Sequence, residues 1–505
     1  MRQCQPEPLA ARASARCRAG RQCALIAGVV ICLVTASGGS KAGDELSSIA
    51  VNTADSAPAA TAAGETGLQQ AVAPAATTVV QPSEPARTGL APANPAAPVA
   101  AAPPPAIAAN PAAVDIIAGS GWLGRQIGLQ PDSGVFLGGL WVGNGNYLFS
   151  GGASPGNSSF NSLFVANLTL DLAKLARIPG AEFDVEFLNF AGQPSNREAG
   201  TVTGYNGLPG SSPLTRSELY ELWWRQALFD NRLIIRVGKS VPTYDFNNVS
   251  RALKTTDESL AIPAVTSLIY TPIFVNPTIL GNLPGYYNSA YGVTTTIAPN
   301  KNLYMSYGVY DGDLALGEQT GLWATPHFNG YYFNIAEAGG GWVLGSNKFP
   351  GSAAIGGWDQ TGALNLISNT AAIAQKGTQG IYTFGSQRLW NMTADPAAGS
   401  VSGFFQFGTN DSRTMLAHKY FGVGLTGFNL IPRRPADSIG GGLAWSWLNT
   451  NLGFRSDETL IQFYYQAQIV NNLYLQPVFT YVPDPGANPD LKPAAIVTVQ
   501  TTVLF

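Results

Sequence analysis

The stretch ELYELWWRQALFDNRLIIRVGKSV (218–241) decides the fold. In its first half Tyr220, Leu222, Trp224 and Leu228 share one parity, and Glu221, Trp223 and Arg225 share the other. In its second half Leu233, Ile235 and Val237 oppose Arg232, Ile234 and Arg236. A period of two belongs to a β-strand with one apolar and one more polar face. Asp230-Asn231, between the halves, is the kind of link that closes a tight hairpin. The segment that follows, 242–285, is long and holds Pro263, Pro272, Pro277 and Pro284. The unit to seek elsewhere is therefore a hairpin with a tight turn at one end and a long loop at the other.

The unit recurs. Further alternating segments lie at 135–149, 163–175, 181–190, 286–298, 302–312, 331–344, 352–359, 379–390, 400–408, 419–430, 438–448, 459–470, 473–482 and 494–505. With 218–229 and 232–241 they make sixteen strands. Short links at RIPG (177–180), DN (230–231), PNK (299–301) and NN (471–472) alternate with long ones at 150–162, 191–217, 242–285, 313–330 and 360–378. The rhythm loosens at 391–399 and 431–437. Short periplasmic turns and long external loops are the pattern of an outer-membrane barrel, and a soluble sandwich has no reason to keep it. The faces agree. Phe183, Val185 and Phe187 oppose Glu182, Asp184 and Glu186; Ile461, Phe463 and Tyr465 oppose Gln462, Tyr464, Gln466 and Gln468. The reading is all-β: a transmembrane antiparallel β-barrel of 16 strands spanning 116–505, with both ends on the periplasmic side.

Composition supports this. Of 505 residues only 12% are charged, about half the usual 25% of a soluble domain. No run reaches the roughly 18 apolar residues of a membrane-spanning helix. The four cysteines, Cys4, Cys17, Cys23 and Cys32, all fall beside Arg2, Arg12, Arg16, Arg18 and Arg21 and the apolar run CALIAGVVICLVTA (23–36). That order reads as a secretory signal over 1–42, cleaved after Ala36 or Ala42. Its removal leaves no cysteine, and hence no disulfide framework. It also takes six of the 28 basic and one of the 31 acidic residues, leaving 22 and 30, a net charge near −8. A nucleic-acid partner would need a basic footprint instead. Residues 43–115 are Ala/Pro-rich and free of aromatics. Such a segment cannot bury enough surface to fold alone and reads as a disordered periplasmic leader.

Enzyme signatures are scarce. His327 and His418 are the two histidines, neither with a partner at ligand or triad spacing. There is no G-x-S-x-G, H-E-x-x-H or P-loop. Asp245, Asn247 and Asn248 lack the glycine and closing glutamate of a calcium loop. No cofactor and no metal is implied, and the chain reads as a non-enzyme. The remaining chemistry is a charge pattern on the inward parity: Glu186, Glu221, Arg225 and Arg236. Arginine offers fixed donors and carboxylates accept from hydroxyls, so the set suits sugar hydroxyls or ordered water. Trp223 could stack on the apolar face of a sugar ring. The plainer alternative is that these charges satisfy one another across strands. The long segment 242–285, with a possible short helix at 245–254, is expected to fold into the lumen as a constriction.

FLNFAGQPSNREAG (187–200), then ELYELWWRQALFDNRLIIRVGKSVPTYDF (218–246), PGYYNSAYGV (284–293) and the aromatic end resemble the carbohydrate-selective porin family of the OprB type, from Gram-negative outer membranes. The resemblance covers roughly 118–505 and is most specific in the 187–246 block; the Ala/Pro leader lies outside it. It implies passive diffusion of glucose and other small sugars through a sixteen-stranded barrel. It also implies an Arg- and Glu-lined constriction, carried onto Glu221, Arg225 and Arg236. A general or anion-tolerant porin is the alternative, and the sequence leaves the oligomeric state open.

The chain ends AAIVTVQTTVLF (494–505). Val497, Val499, Thr501 and Val503 form a lipid-facing row, against Thr498, Gln500, Thr502 and Leu504. A closed barrel has no free edge, so this strand should pair with the first, 135–149. Phe505 is expected to anchor the periplasmic interface and to be read by the barrel-insertion machinery.

Overall fold

The computed structural model describes residues 120–505 other than 131, 210–213, 248, 250–265, 282, 286–287, 317–324, 346–348, 366–373, 394–398 and 412. The expected signal and leader, 1–42 and 43–115, lie outside the described residues, as does most of the expected helix at 245–254. Its start coincides with one short turn, Pro242–Asp245.

Among the described residues, sixteen strands close into one antiparallel barrel. They are β1 (Val135–Gly152), β2 (Ser158–Asp171), β3 (Ala181–Ala191), β4 (Thr215–Leu228), β5 (Leu233–Ser240), β6 (Ala290–Asn300), β7 (Leu303–Asp311) and β8 (Tyr332–Leu344). The second half is β9 (Phe349–Asn365), β10 (Ala374–Asn391), β11 (Ser400–Asn410), β12 (Ala417–Phe428), β13 (Ser438–Leu448), β14 (Asp457–Val470), β15 (Leu473–Val482) and β16 (Lys492–Leu504). Each strand pairs with its sequence neighbours, and β1 closes on β16. The registers run Leu140↔Leu504 through Tyr147↔Val497 at that seam.

Several boundaries differ from the sequence reading. The weak segment at 352–359 is a full strand, Phe349–Asn365, so most of the long link expected at 360–378 is hairpin. The link expected at 150–162 shortens to 153–157. The strand expected over 163–175 stops at Asp171, whose carboxylate accepts from Ala173 N at 3.0 Å and Lys174 N at 3.3 Å. That cap starts a helical turn, Leu172–Leu175.

The barrel is apolar outside and polar inside. Ile355 is 62% exposed, Met305 58% and Phe463 58%. So many large apolar side chains on one continuous outer wall face lipid rather than water. The inward rows instead hold buried Gln406, Gln462, Gln466 and Gln476, with Glu186, Glu221 and Glu337.

The seam depends on one glycine. Gly139 exchanges backbone hydrogen bonds with Phe505, 2.9 and 3.0 Å. A Cβ there would sit 2.1 Å from the Val165 carbonyl and 2.7 Å from the Phe505 ring, so only glycine fits. Phe505 in turn stacks on Phe164, 5.4 Å between centroids. Ser120 N donates to the terminal Phe505 carbonyl at 3.2 Å, which ties the entry of the chain to its end.

Candidate functional site

Strands β3 to β5 build one wall of the lumen. Asp184 and Glu186 point inward from β3 and are almost fully buried. Asn167 on β2 donates to both, at 2.9 and 3.2 Å. On β4 the pairing steps from Glu186↔Glu221 to Phe187↔Leu219, which leaves Tyr220 as the extra residue of a bulge. Simple alternation assigns Tyr220 to the lipid face. The bulge instead brings Glu218, Tyr220 and Glu221 all inward, and Tyr220 is fully buried.

Glu221 organises this wall. Its Oε2 accepts from the Trp223 indole N–H at 2.8 Å, and its Oε1 from Val241 N at 2.9 Å. The Arg236 guanidinium lies 5.4 Å from the Trp223 ring centroid and pairs with Asp245, just past the end of β5. Arg225 stands opposite Arg236 in register but pairs with Glu182 at 3.1 Å. Carboxylate oxygens of Asp184, Glu186 and Glu221 lie within 4.8 Å of one another. The sequence-derived residues Glu186, Glu221, Trp223 and Arg236 therefore stand together on one wall, with Arg225 beside them.

Described residues of the segment 242–285 bond both near this wall and on the opposite one. At the near end the Tyr244 hydroxyl meets that of Tyr220 at 3.1 Å. Asn247 N donates to Glu337 on β8 at 2.7 Å, and Glu337 also accepts from the Tyr304 and Tyr382 hydroxyls. At the far end Ile269 N and Tyr270 N both donate to Gln462 Oε1, at 2.8 and 3.2 Å. Gln466 donates to Ser267 Oγ at 2.8 Å and Gln476 to Ser267 O at 2.7 Å. Asn410 donates to Thr278 O at 2.6 Å. Each buried backbone group of an inward loop must find such a partner, because lumen walls replace water there.

A second loop, 192–214, joins it. Fully buried Glu458 on β14 accepts from Val202 N at 2.8 Å, Thr203 N at 2.9 Å, Thr203 Oγ1 at 2.5 Å and Gly486 N at 2.9 Å. The two loops bond directly, Thr271 N to Gly204 O at 3.0 Å and Gly207 N to Ile269 O at 2.6 Å. Burial keeps the loop phenols Tyr205, Tyr244 and Tyr270 protonated well above the ordinary tyrosine range.

Sequence reasoning did not single out Asp245 as the partner of Arg236, nor Tyr244, Glu337, Glu458 or Gln462 as loop anchors. Inward parity was the only local signal of Glu337, Glu458 and Gln462, and Tyr244 and Asp245, past the end of β5, had not even that.

The barrel and its sequence have known counterparts. The model of the OprB family, described as carbohydrate-selective porins, matches residues 163–505. Pseudomonas putida OprB in its high-pH structure is similar at TM-score 0.66 and 18% identity, over 76% of this chain and 97% of that one. Its low-pH structure matches at TM-score 0.49 and 16% identity, over 76% and 96%. The outer-membrane channel DcaP of Acinetobacter baumannii matches at TM-score 0.43 and 9% identity, over 74% and 97%. No curated protein matches the chain. The match to the family model spans most of the chain and the whole of the loop-bearing wall, and the chain belongs to the OprB family of carbohydrate-selective porins.

Proposed function

We propose that the protein is an outer-membrane channel for passive diffusion of small carbohydrates such as glucose. The observation that carries this reading is the loop 242–285, whose described residues lie across the lumen and bond to both walls. The wall on one side of it carries fixed charges, and the wall on the other carries neutral amides. A neutral polyol can trade its water for such donors and acceptors without leaving a charge unpaired. Glu186 and Glu221 are the acceptors in this reading, Arg225 and Arg236 the donors, and Trp223 the apolar surface beside them. Liposome swelling tests it: glucose should enter faster than an amino acid or anion of similar size. Equal rates would overturn the selectivity and leave a general diffusion porin.

Export uses the signal 1–42, and the leader 43–115 stays in the periplasm. N-terminal sequencing of the mature protein decides between cleavage after Ala36 and after Ala42. Phe505 is the address read by the insertion machinery. Deleting it should lower barrel yield in the outer membrane while inserted molecules keep their conductance; an unchanged yield would refute this role.

A further inference from the structure

The arginines on the β4–β5 wall each face a carboxylate: Arg216 with Glu218, Arg225 with Glu182, Arg236 with Asp245. Arg388 on β10 does not. Its residue is 9% exposed, and its Nε is covered without a hydrogen-bond partner among the described residues. It shares the inward parity of Tyr382, Phe384 and Ser386, three residues before β10 ends at Asn391 on the side of the short turns. Hydroxyl residues neighbour it in the register. Ser402 stands opposite on β11, and Thr426 opposite Ser402 on β12. Ser386 meets Ser352 at 3.1 Å between hydroxyl oxygens. All four hydroxyl residues are buried, and the row carries no carboxylate.

A guanidinium on a lumen wall with a covered, unpaired Nε and no carboxylate beside it is stabilised when an anion meets it. Hydroxyls beside it can serve the rest of a polyol. We propose that Arg388 with Ser352, Ser386, Ser402 and Thr426 forms an anion-retaining site at the short-turn exit of the pore, which holds the carboxylate of a sugar acid. The inference rests on the chain being a channel. It does not rest on neutral-sugar selectivity, which belongs to the loop and the opposite wall.

The test uses the full-length protein in planar bilayers, with gluconate and glucose as probes. In the unaltered channel, gluconate should reduce the chloride current at concentrations where glucose does not. Arg388→Gln should weaken the gluconate effect about tenfold, the scale of a lost hydrogen bond to a charged group, and shift the reversal potential in a potassium chloride gradient toward cations. Arg388→Lys should keep the reversal potential and part of the gluconate effect. Glucose permeation should stay unchanged in both. Absence of a gluconate effect in the unaltered channel overturns the proposal whether or not a variant assembles. So does an assembled Arg388→Gln channel with the parent's reversal potential and gluconate sensitivity. Loss of glucose selectivity in the unaltered channel alone would count against the neutral-sugar reading and leave this site standing.

Discussion

The two walls of the lumen hold the same inward loop by different physics. The wall of β3 to β5 uses charge: Arg236 with Asp245, and Glu221 with the Val241 amide. The wall of β11 to β15 uses neutral amides, Gln462, Gln466, Gln476 and Asn410, while its carboxylate Glu458 holds the second loop, 192–214. Charge pairs act at a distance and are weakened by water and salt. Amide hydrogen bonds act only at contact, but each buried group left without one costs its full desolvation. The amide wall is thus suited to fixing the width of the passage, and the charged wall to choosing what passes.

The comparison can be broken most sharply at Glu458. Glu458→Ala removes the acceptor of three backbone N–H groups and one hydroxyl. We expect a loss of about 3–5 kcal/mol in barrel stability, read as a lower melting temperature in gel-shift assays, and a larger single-channel conductance. An unchanged conductance would mean that the loop at 199–205 does not set the width. Gln462→Ala should follow in size, since two loop amides lose their acceptor: about 2 kcal/mol, again with a wider pore. Arg236→Gln should cost less, about 1 kcal/mol, because the shorter amide can still donate toward Asp245. It should leave conductance near the parent value and reduce the preference for glucose over a same-sized amino acid. If it widened the pore instead, the division of labour between the walls would fail. The smallest effect is that of salt. Between about 0.1 and 1 M the screening length falls from about 10 to 3 Å. Sugar selectivity should drop slightly, while the ratio of parent to Gln462→Ala conductance stays constant.

The charged wall was legible in the sequence and the amide wall was not. Glu221, Arg225 and Arg236 stand out in a chain with few charges, on the inward parity of a strongly alternating hairpin. A glutamine on the same parity of β14 looks like any lumen residue. Its role appears only when Ile269, nearly two hundred residues away, arrives beside it. Tyr220 failed for a smaller reason: one extra residue in β4 reverses the parity that alternation assigns, and nothing in ELYELWW marks it.

The sequence by itself determined the number of strands, most of their faces, the closure of the last on the first, and the gathering of the long links at one end of the barrel. Those features follow from a two-residue period and from turn chemistry, both local. Only the tertiary structure decided the bulge at Tyr220, the wall partners of the described residues of 242–285, and the unpaired Nε of Arg388. Each of these depends on which groups meet across the barrel, and contacts such as Val202 with Glu458, 256 residues apart, leave no local trace.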